Sequence, residues 1–183
     1  MIQINESPVE LLIDVCNLCN FHCSFCPNGD EELLKSVNRQ RGVMEYNLFK
    51  KIIDDVSKFK ERVEVIHLYK DGEPFLNKDL GKMITYVKSK DITNSVRTTS
   101  NGSLINRDRA IELIESGLDM IRISVEHISD EKYKEVTGTD TKYETIKNNV
   151  SFLYEENKRR KKDLVIEAKI LDTGLSEDEL NKF

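Results

Sequence analysis

The amino-acid sequence predicts an α/β fold in which five strand–helix units in series build one parallel sheet. Three observations carry that reading. Short apolar runs alternate along the chain with segments whose apolar residues recur at helical spacing. Successive units of this kind need helical crossovers, which are right-handed between parallel strands. At 183 residues the chain is one domain by length, with room for a sizeable core but short of the eight units of a closed barrel. An open or partial barrel follows, with a flat doubly wound sheet as the alternative that pattern alone leaves standing. In either case ligands bind beyond the carboxyl ends of the strands.

Leu11-Leu12-Ile13-Asp14-Val15 reads as the first strand. Leu48, Phe49, Ile52, Ile53, Val56 and Phe59 mark a helix, and Val63, Val65, Ile66 and Leu68 a second strand. Leu80, Met83, Ile84 and Val87 define the next helix, and Val96 to Thr99 the third strand. Asn106 is an N-cap and Gly117 a stop for a third helix, followed by a fourth strand from Asp119 to Val125. A long helix runs through Tyr143, Ile146, Val150 and Leu153, and Leu164 to Leu171 forms the fifth strand. Ser176 and Glu179 then make a capping box that opens a last helix. The basic run Lys158 to Lys162 reads as a solvated helix end favoured by the macrodipole. No repeat, linker or low-complexity tract divides the chain.

Composition narrows the setting. Lys and Arg number 28 against 33 Asp and Glu, a net charge of −5. That balance argues against a dedicated nucleic-acid binder, whose phosphate contacts demand a basic excess. Met1 to Glu6 lacks the basic and apolar runs of a signal peptide, and no stretch approaches membrane-spanning length. The expectation is a cytoplasmic protein without nucleic-acid or membrane partners, where thiols stay reduced and clustered cysteines are metal ligands rather than disulfides.

All four cysteines fall within "CNLCNFHCSFC", residues 16 to 26. Two ligand sets are open. Four thiolates could bind zinc in an interaction module, although C-x2-C-x3-C-x2-C lacks the long loop that separates two zinc knuckles. Alternatively Cys19, Cys23 and Cys26, spaced C-x3-C-x2-C, could hold an iron–sulfur cluster and leave one iron open to a small molecule, whereas a pure electron carrier uses four cysteines. Cys16 reads as a buried thiol at the end of the first strand. His22 reads as a loop residue, His67 as a polar group inside the barrel, and His127 as structural. Gly138-Thr139 is a turn and no phosphate-loop motif is present.

"CNFHCSFC" resembles the signature of the radical S-adenosylmethionine (SAM) superfamily, C-x3-C-x2-C with an aromatic residue, here Phe25, before the last cysteine. Further segments resemble that family in the same order. "YKDGEPF", residues 69 to 75, is similar to its Gly-Gly-Glu-Pro segment, with Asp71 in place of the first glycine; "TTSNGSLI", residues 98 to 105, is similar to its Thr-Asn-Gly turn, with Ser100 in place of threonine; "IRISVEH", residues 121 to 127, is similar to its fourth strand. The resemblance implies a partial (β/α)6-type TIM barrel of which about five units are present. It implies a 4Fe–4S cluster on Cys19, Cys23 and Cys26, and SAM held by backbone from Gly72 through Glu73 to Pro74, by Ser124, and by Ser100, Asn101 and Glu126 nearby. Phe25 would lie beside the adenine, and Glu73 would chiefly organise its loop. The implied reaction is reductive cleavage of SAM to a 5′-deoxyadenosyl radical that abstracts hydrogen from substrate, the electron coming from a reductant such as flavodoxin or ferredoxin. The motifs also resemble the SPASM and twitch group, which acts on peptides, sugars or aminocyclitols, although no cysteine follows Cys26. A sheet ending at Leu171 leaves a strand edge to be covered. Residues 1–183 are therefore expected to be a radical SAM core needing a C-terminal extension or a partner chain for coupled turnover.

Overall fold

The computed structural model of the chain describes residues 8–171, 175–181 and 183; the segment Met1 to Glu6 considered above lies outside them. Five strands, β1 (Glu10–Leu12), β2 (Val63–His67), β3 (Thr93–Ser100), β4 (Met120–Val125) and β5 (Val165–Ile170), form one sheet in the order β1-β2-β3-β4-β5. Every neighbouring pair is parallel. A doubly wound sheet reverses its strand order at a switch point. This order never reverses, so the helices stack on one face and the sheet is that of a partial barrel.

The α-helices are α1 (Glu31–Ser36), α2 (Tyr46–Val56), α3 (Leu80–Lys90), α4 (Arg107–Glu115), α5 (Asp130–Thr137), α6 (Tyr143–Arg159) and α7 (Glu177–Leu180), and 3-10 turns span Pro27–Gly29 and Pro74–Leu76. The core lies between sheet and helices. Ile66, Val96, Ile121 and Ile123 from the strands, and Leu68 just beyond β2, pack with Met83, Ile84, Val87, Leu113 and Leu153 from the helices. Alternation sends the remaining strand residues, among them Arg97, Thr99, Arg122 and Ser124, to the open face.

The caps read from sequence are present. Asn106 accepts from Arg109 N at 2.9 Å, and Ser176 and Glu179 form the reciprocal capping box. Gly117 has φ +81 just beyond α4. Three expectations need correction. The first strand pairs only to Leu12, because Val15 and Cys16 turn away to meet Val43 and Met44: Cys16 bridges Val43, and Met44 N donates to Val15 O at 3.0 Å. The third strand begins earlier, at polar Thr93, since pairing with Val63 outweighs composition. The run Lys158 to Lys162 is not simply solvated: Arg159 and Arg160 both bind Glu156, and Arg160 and Lys162 reach Glu115 on α4.

Asn77 holds the end of β1 to the start of α3. Its buried amide donates to Val15 O at 3.0 Å and Met44 O at 3.2 Å, and its Oδ1 accepts from Asp79 N at 2.9 Å. Asn77→Ala removes the donor to Met44 O, one of two donors to Val15 O and the acceptor for Asp79 N, so it should lower stability by about 2–3 kcal/mol in urea unfolding.

Candidate active site

The cysteine loop leaves β1 and is fastened before any metal is considered. Phe21 is buried edge-on against Tyr133 of α5, with ring centroids 6.2 Å apart. His22 N donates to Thr137 O at 2.8 Å and Ser24 N to Val136 O at 2.9 Å, so the last turn of α5 carries the loop backbone. Its end closes through Cys26 N to Cys23 O and Gly29 N to Cys26 O, each 2.9 Å. Cys19, Cys23 and Cys26 are free and partly buried. Burial raises the Cys19 and Cys23 thiols, Cys23 to about 12, and the neighbouring cysteines add to both shifts. Cys16 stands apart, 1% exposed, with Sγ turned to Leu18 O at 3.6 Å.

The loop after β2 stacks on this one. A Cβ on Gly72 would lie 2.2 Å from Cys16 O and 2.4 Å from Leu18 O, closer than any real contact. Gly72 therefore admits the close approach of the cysteine loop. Glu73 N donates to Leu18 O at 2.7 Å. The Glu73 carboxylate, 2% exposed, accepts from Phe75 N at 3.0 Å, Ser100 Oγ at 2.8 Å and Asn101 N at 2.8 Å. Asn101 in turn donates to Asn20 Oδ1 at 3.0 Å, and Asn20 to Ser103 Oγ at 2.9 Å, tying the loop after β3 to the cysteine loop.

These loops enclose one cavity of about 200 Å³ at the carboxyl ends of the strands. Cys19, Cys23, Cys26, Phe25, Gly72, Glu73, Ser100, Asn101, Ser124 and Glu126 all line it. Pro74 does not: it is buried at the start of the 3-10 turn Pro74–Leu76. Glu73 turns its carboxylate to the loops, as an organiser. Phe25 is 50% exposed, an aromatic face with no ring partner among the described residues. Glu126 is the reverse, 6% exposed with Oε2 buried and unpartnered, and burial raises its carboxyl. Such an atom costs free energy until a donor reaches it.

The sequence reading did not single out Phe21, Tyr69, Lys70 or Thr99, which also line the cavity; each adjoins a motif residue, the one signal available. Asp71 pairs with Arg39, from the segment after α1, and Arg39 also lies 3.9 Å from Asp14. His22 is exposed, and His127 is buried and accepts from Ser129 N at 3.1 Å, both as structural residues. Among the described residues no three His, Cys, Asp or Glu side chains converge on a point that would hold a single ion.

The model of the Radical SAM superfamily matches residues 13–167. A probable GTP 3',8-cyclase of Saccharolobus islandicus is 33% identical over 142 residues, 76% of this chain and 42% of the relative. The tungsten-containing aldehyde ferredoxin oxidoreductase cofactor-modifying protein of Pyrococcus furiosus is 30% identical over 116 residues, 63% and 30% of the two chains. In fold, the chain matches Streptococcus suis SuiB bound to S-adenosylmethionine with TM-score 0.72 and 18% identity, over 96% of this chain and 37% of that one. The chain belongs to the radical SAM superfamily, whose members use a 4Fe–4S cluster and SAM. It spans less than half the length of these three proteins. The residues present fit both groups: three thiols share one cavity with an unpartnered buried carboxylate and an open aromatic face.

Two outcomes follow. Gly72→Ala should lose the cluster as well as SAM binding, since the added carbon meets backbone of the cysteine loop; iron and sulfide analysis of the reconstituted variant checks this. Glu126 has a folded pKa raised above its usual 4.5. Its contribution to stability is thus present below that value and lost as pH rises through the folded one. Glu126→Gln should therefore stabilise the cofactor-free protein at neutral pH and flatten its pH dependence, while weakening SAM; thermal melts across pH and SAM titration read the two effects.

Proposed function

We propose that this chain is the cofactor-binding core of a radical SAM enzyme, with Cys19, Cys23 and Cys26 as the cluster ligands and the adjoining cavity as the SAM site. The convergence of those thiols with Glu126 and Phe25 on one cavity at the strand ends carries the reading. When bound, cluster and SAM supply one-electron cleavage of a carbon–sulfur bond and a carbon radical able to take hydrogen from a substrate. The chain's own residues bind and orient. Backbone from Gly72 toward Pro74 lies against the cysteine loop, where the methionine end of SAM would sit. Ser124 and Glu126 offer acceptors on the β4 side, with Ser100 and Asn101 fixed beside them by Glu73. Phe25 covers the adenine, where its exposed ring gains a partner.

The domain assignment, a radical SAM core over residues 1–183, belongs to this reading. So do a cytoplasmic setting, a flavodoxin or ferredoxin as reductant, and a peptide or small-molecule substrate. Relatives named as a cyclase and as a cofactor-modifying protein support an enzyme rather than a carrier. The zinc alternative needs a fourth thiolate, and Cys16 faces a carbonyl away from the others.

The experiment is a set of four variants purified without oxygen. Cys19→Ala, Cys23→Ala and Cys26→Ala should each lose iron, sulfide and SAM cleavage. Cys16→Ala should keep all three. Zinc at one ion per chain in the wild type, or loss of the cluster in Cys16→Ala, refutes the assignment.

A further inference from the structure

A second group of polar side chains lies on the open face of the sheet below the cavity. His67 of β2 pairs in register with Arg97 of β3, and Thr99 of β3 with Arg122 of β4. With Tyr69, just beyond β2, they line a recess of about 30 Å³. Tyr69 and Thr99 line both this recess and the larger cavity, so the two adjoin. The recess has roughly the volume of one water molecule in the liquid. It takes the terminal group of a ligand and no more.

The charges there are unevenly matched. Arg122 is held by Glu167 across β4–β5 in a two-point pair, Nε to Oε1 at 2.9 Å and a terminal nitrogen to Oε2 at 3.2 Å. His67 Nε2 lies 3.4 Å from Glu10, while its Nδ1 is buried without a partner. Arg97 is partly buried and donates only through Nε, to Ser95 Oγ at 3.0 Å. It makes no ion pair with a described residue. Its terminal nitrogens thus have no hydrogen-bond partner among the described residues and remain free to take one from a ligand. A guanidinium fork matches carboxylate and phosphate oxygens in two-point geometry.

We propose that Arg97, flanked by His67 and Tyr69, anchors an oxyanionic group of the substrate, a carboxylate or a phosphate, at the floor of the site. The rest of the substrate then spans Tyr69 and Thr99 toward the cavity. This rests on the reading in which that cavity holds SAM, and it makes the substrate class anionic.

The test uses the reconstituted chain with SAM present, titrated by calorimetry with acetate and, separately, with inorganic phosphate. The wild type should bind at least one of them saturably. Arg97→Gln should weaken it by about tenfold or more, the loss of one charge-assisted pair. Arg97→Lys, which keeps the charge but not the fork, should fall between. Binding of acetate alone assigns a carboxylate, of phosphate alone a phosphate, and of both the chemistry they share. No saturable binding to the wild type, or equal affinity in a folded Arg97→Gln, overturns the proposal. Should Arg97→Gln fail to fold by circular dichroism, Arg97→Lys decides, and affinity equal to the wild type overturns it. The electron paramagnetic resonance spectrum of the reduced wild type is recorded with and without SAM alongside. A missing SAM response refutes the SAM site itself, whereas a normal response without anion binding refutes only the anchor.

Discussion

The buried carboxylate of Glu73 is the joint on which the rest of the site depends. Burial alone drives such a group toward its neutral form, and three donors from two loops oppose that. Its backbone N–H meanwhile binds Leu18 of the cysteine loop. One residue therefore fixes the loops after β1, β2 and β3 to one another, at the point where the sheet's carboxyl edge becomes a cavity. α5 fastens the far side of the cysteine loop through Thr137 and Val136. A loop held on both sides has little conformational entropy left to lose when ligands arrive, which is how a preformed site keeps its affinity. Cys19 and Cys23 are not poised as anions: burial raises both thiols, so metal binding has to displace their protons.

Set against that well-bonded joint are several groups the fold leaves without a partner, Glu126 and Arg97 among them. Glu126 has a buried oxygen with no partner, and Arg97 a partly buried guanidinium with no carboxylate. Elsewhere charge is matched closely. Glu156 takes both Arg159 and Arg160, and its carboxyl is lowered to about 2 by them. Lys88 and Asp119 pair across the start of β4 at 2.8 Å. Glu126 and Arg97 both border the open face above β3 and β4, one in the upper cavity and one in its floor. Stability left unrealised at a cavity is the usual cost of a binding surface. An unpartnered acceptor at one end and a cation at the other also give a ligand a preferred direction.

Much of this was legible in the chain. Apolar periodicity located all five strands and the helices α2, α3 and α6, because each buries a face whose spacing reports its geometry, and Asn106 and Gly117 marked α4. The cysteine spacing and the segments around Gly72, Asn101 and Ser124 located the cavity. Two helices escaped, α1 and α5, since each is short and buries one or two residues, Leu34 in the first and Tyr133 and Thr137 in the second. Their signals are caps instead: Asp30 accepts from Leu33 N at 2.9 Å, and Gly138 ends α5 at φ +63. Arg97 escaped for another reason. Whether a strand arginine is paired depends on neighbours in register, and no local pattern encodes a missing partner.

The departure at Asp71 shows how a charge can enter a backbone-lined loop. Where the resembling family has a second glycine, this chain places a carboxylate beside Gly72, next to the partly buried Asp14, whose own carboxyl is raised by burial and by Asp71. Two acids so close would repel, and the loop would open at the point where it must press on Cys16 and Leu18. Arg39 removes the conflict by lying between them, paired with Asp71 and 3.9 Å from Asp14. It can do so because α1 and its cap carry the chain back over the cysteine loop, a path continued by Asn17 binding Gln40 O and Gly42 N at 2.9 and 2.7 Å. The short helix that sequence pattern overlooks is thus the element that makes the unusual acid tolerable, and α1, Arg39 and Asp71 form one unit that would have to change together.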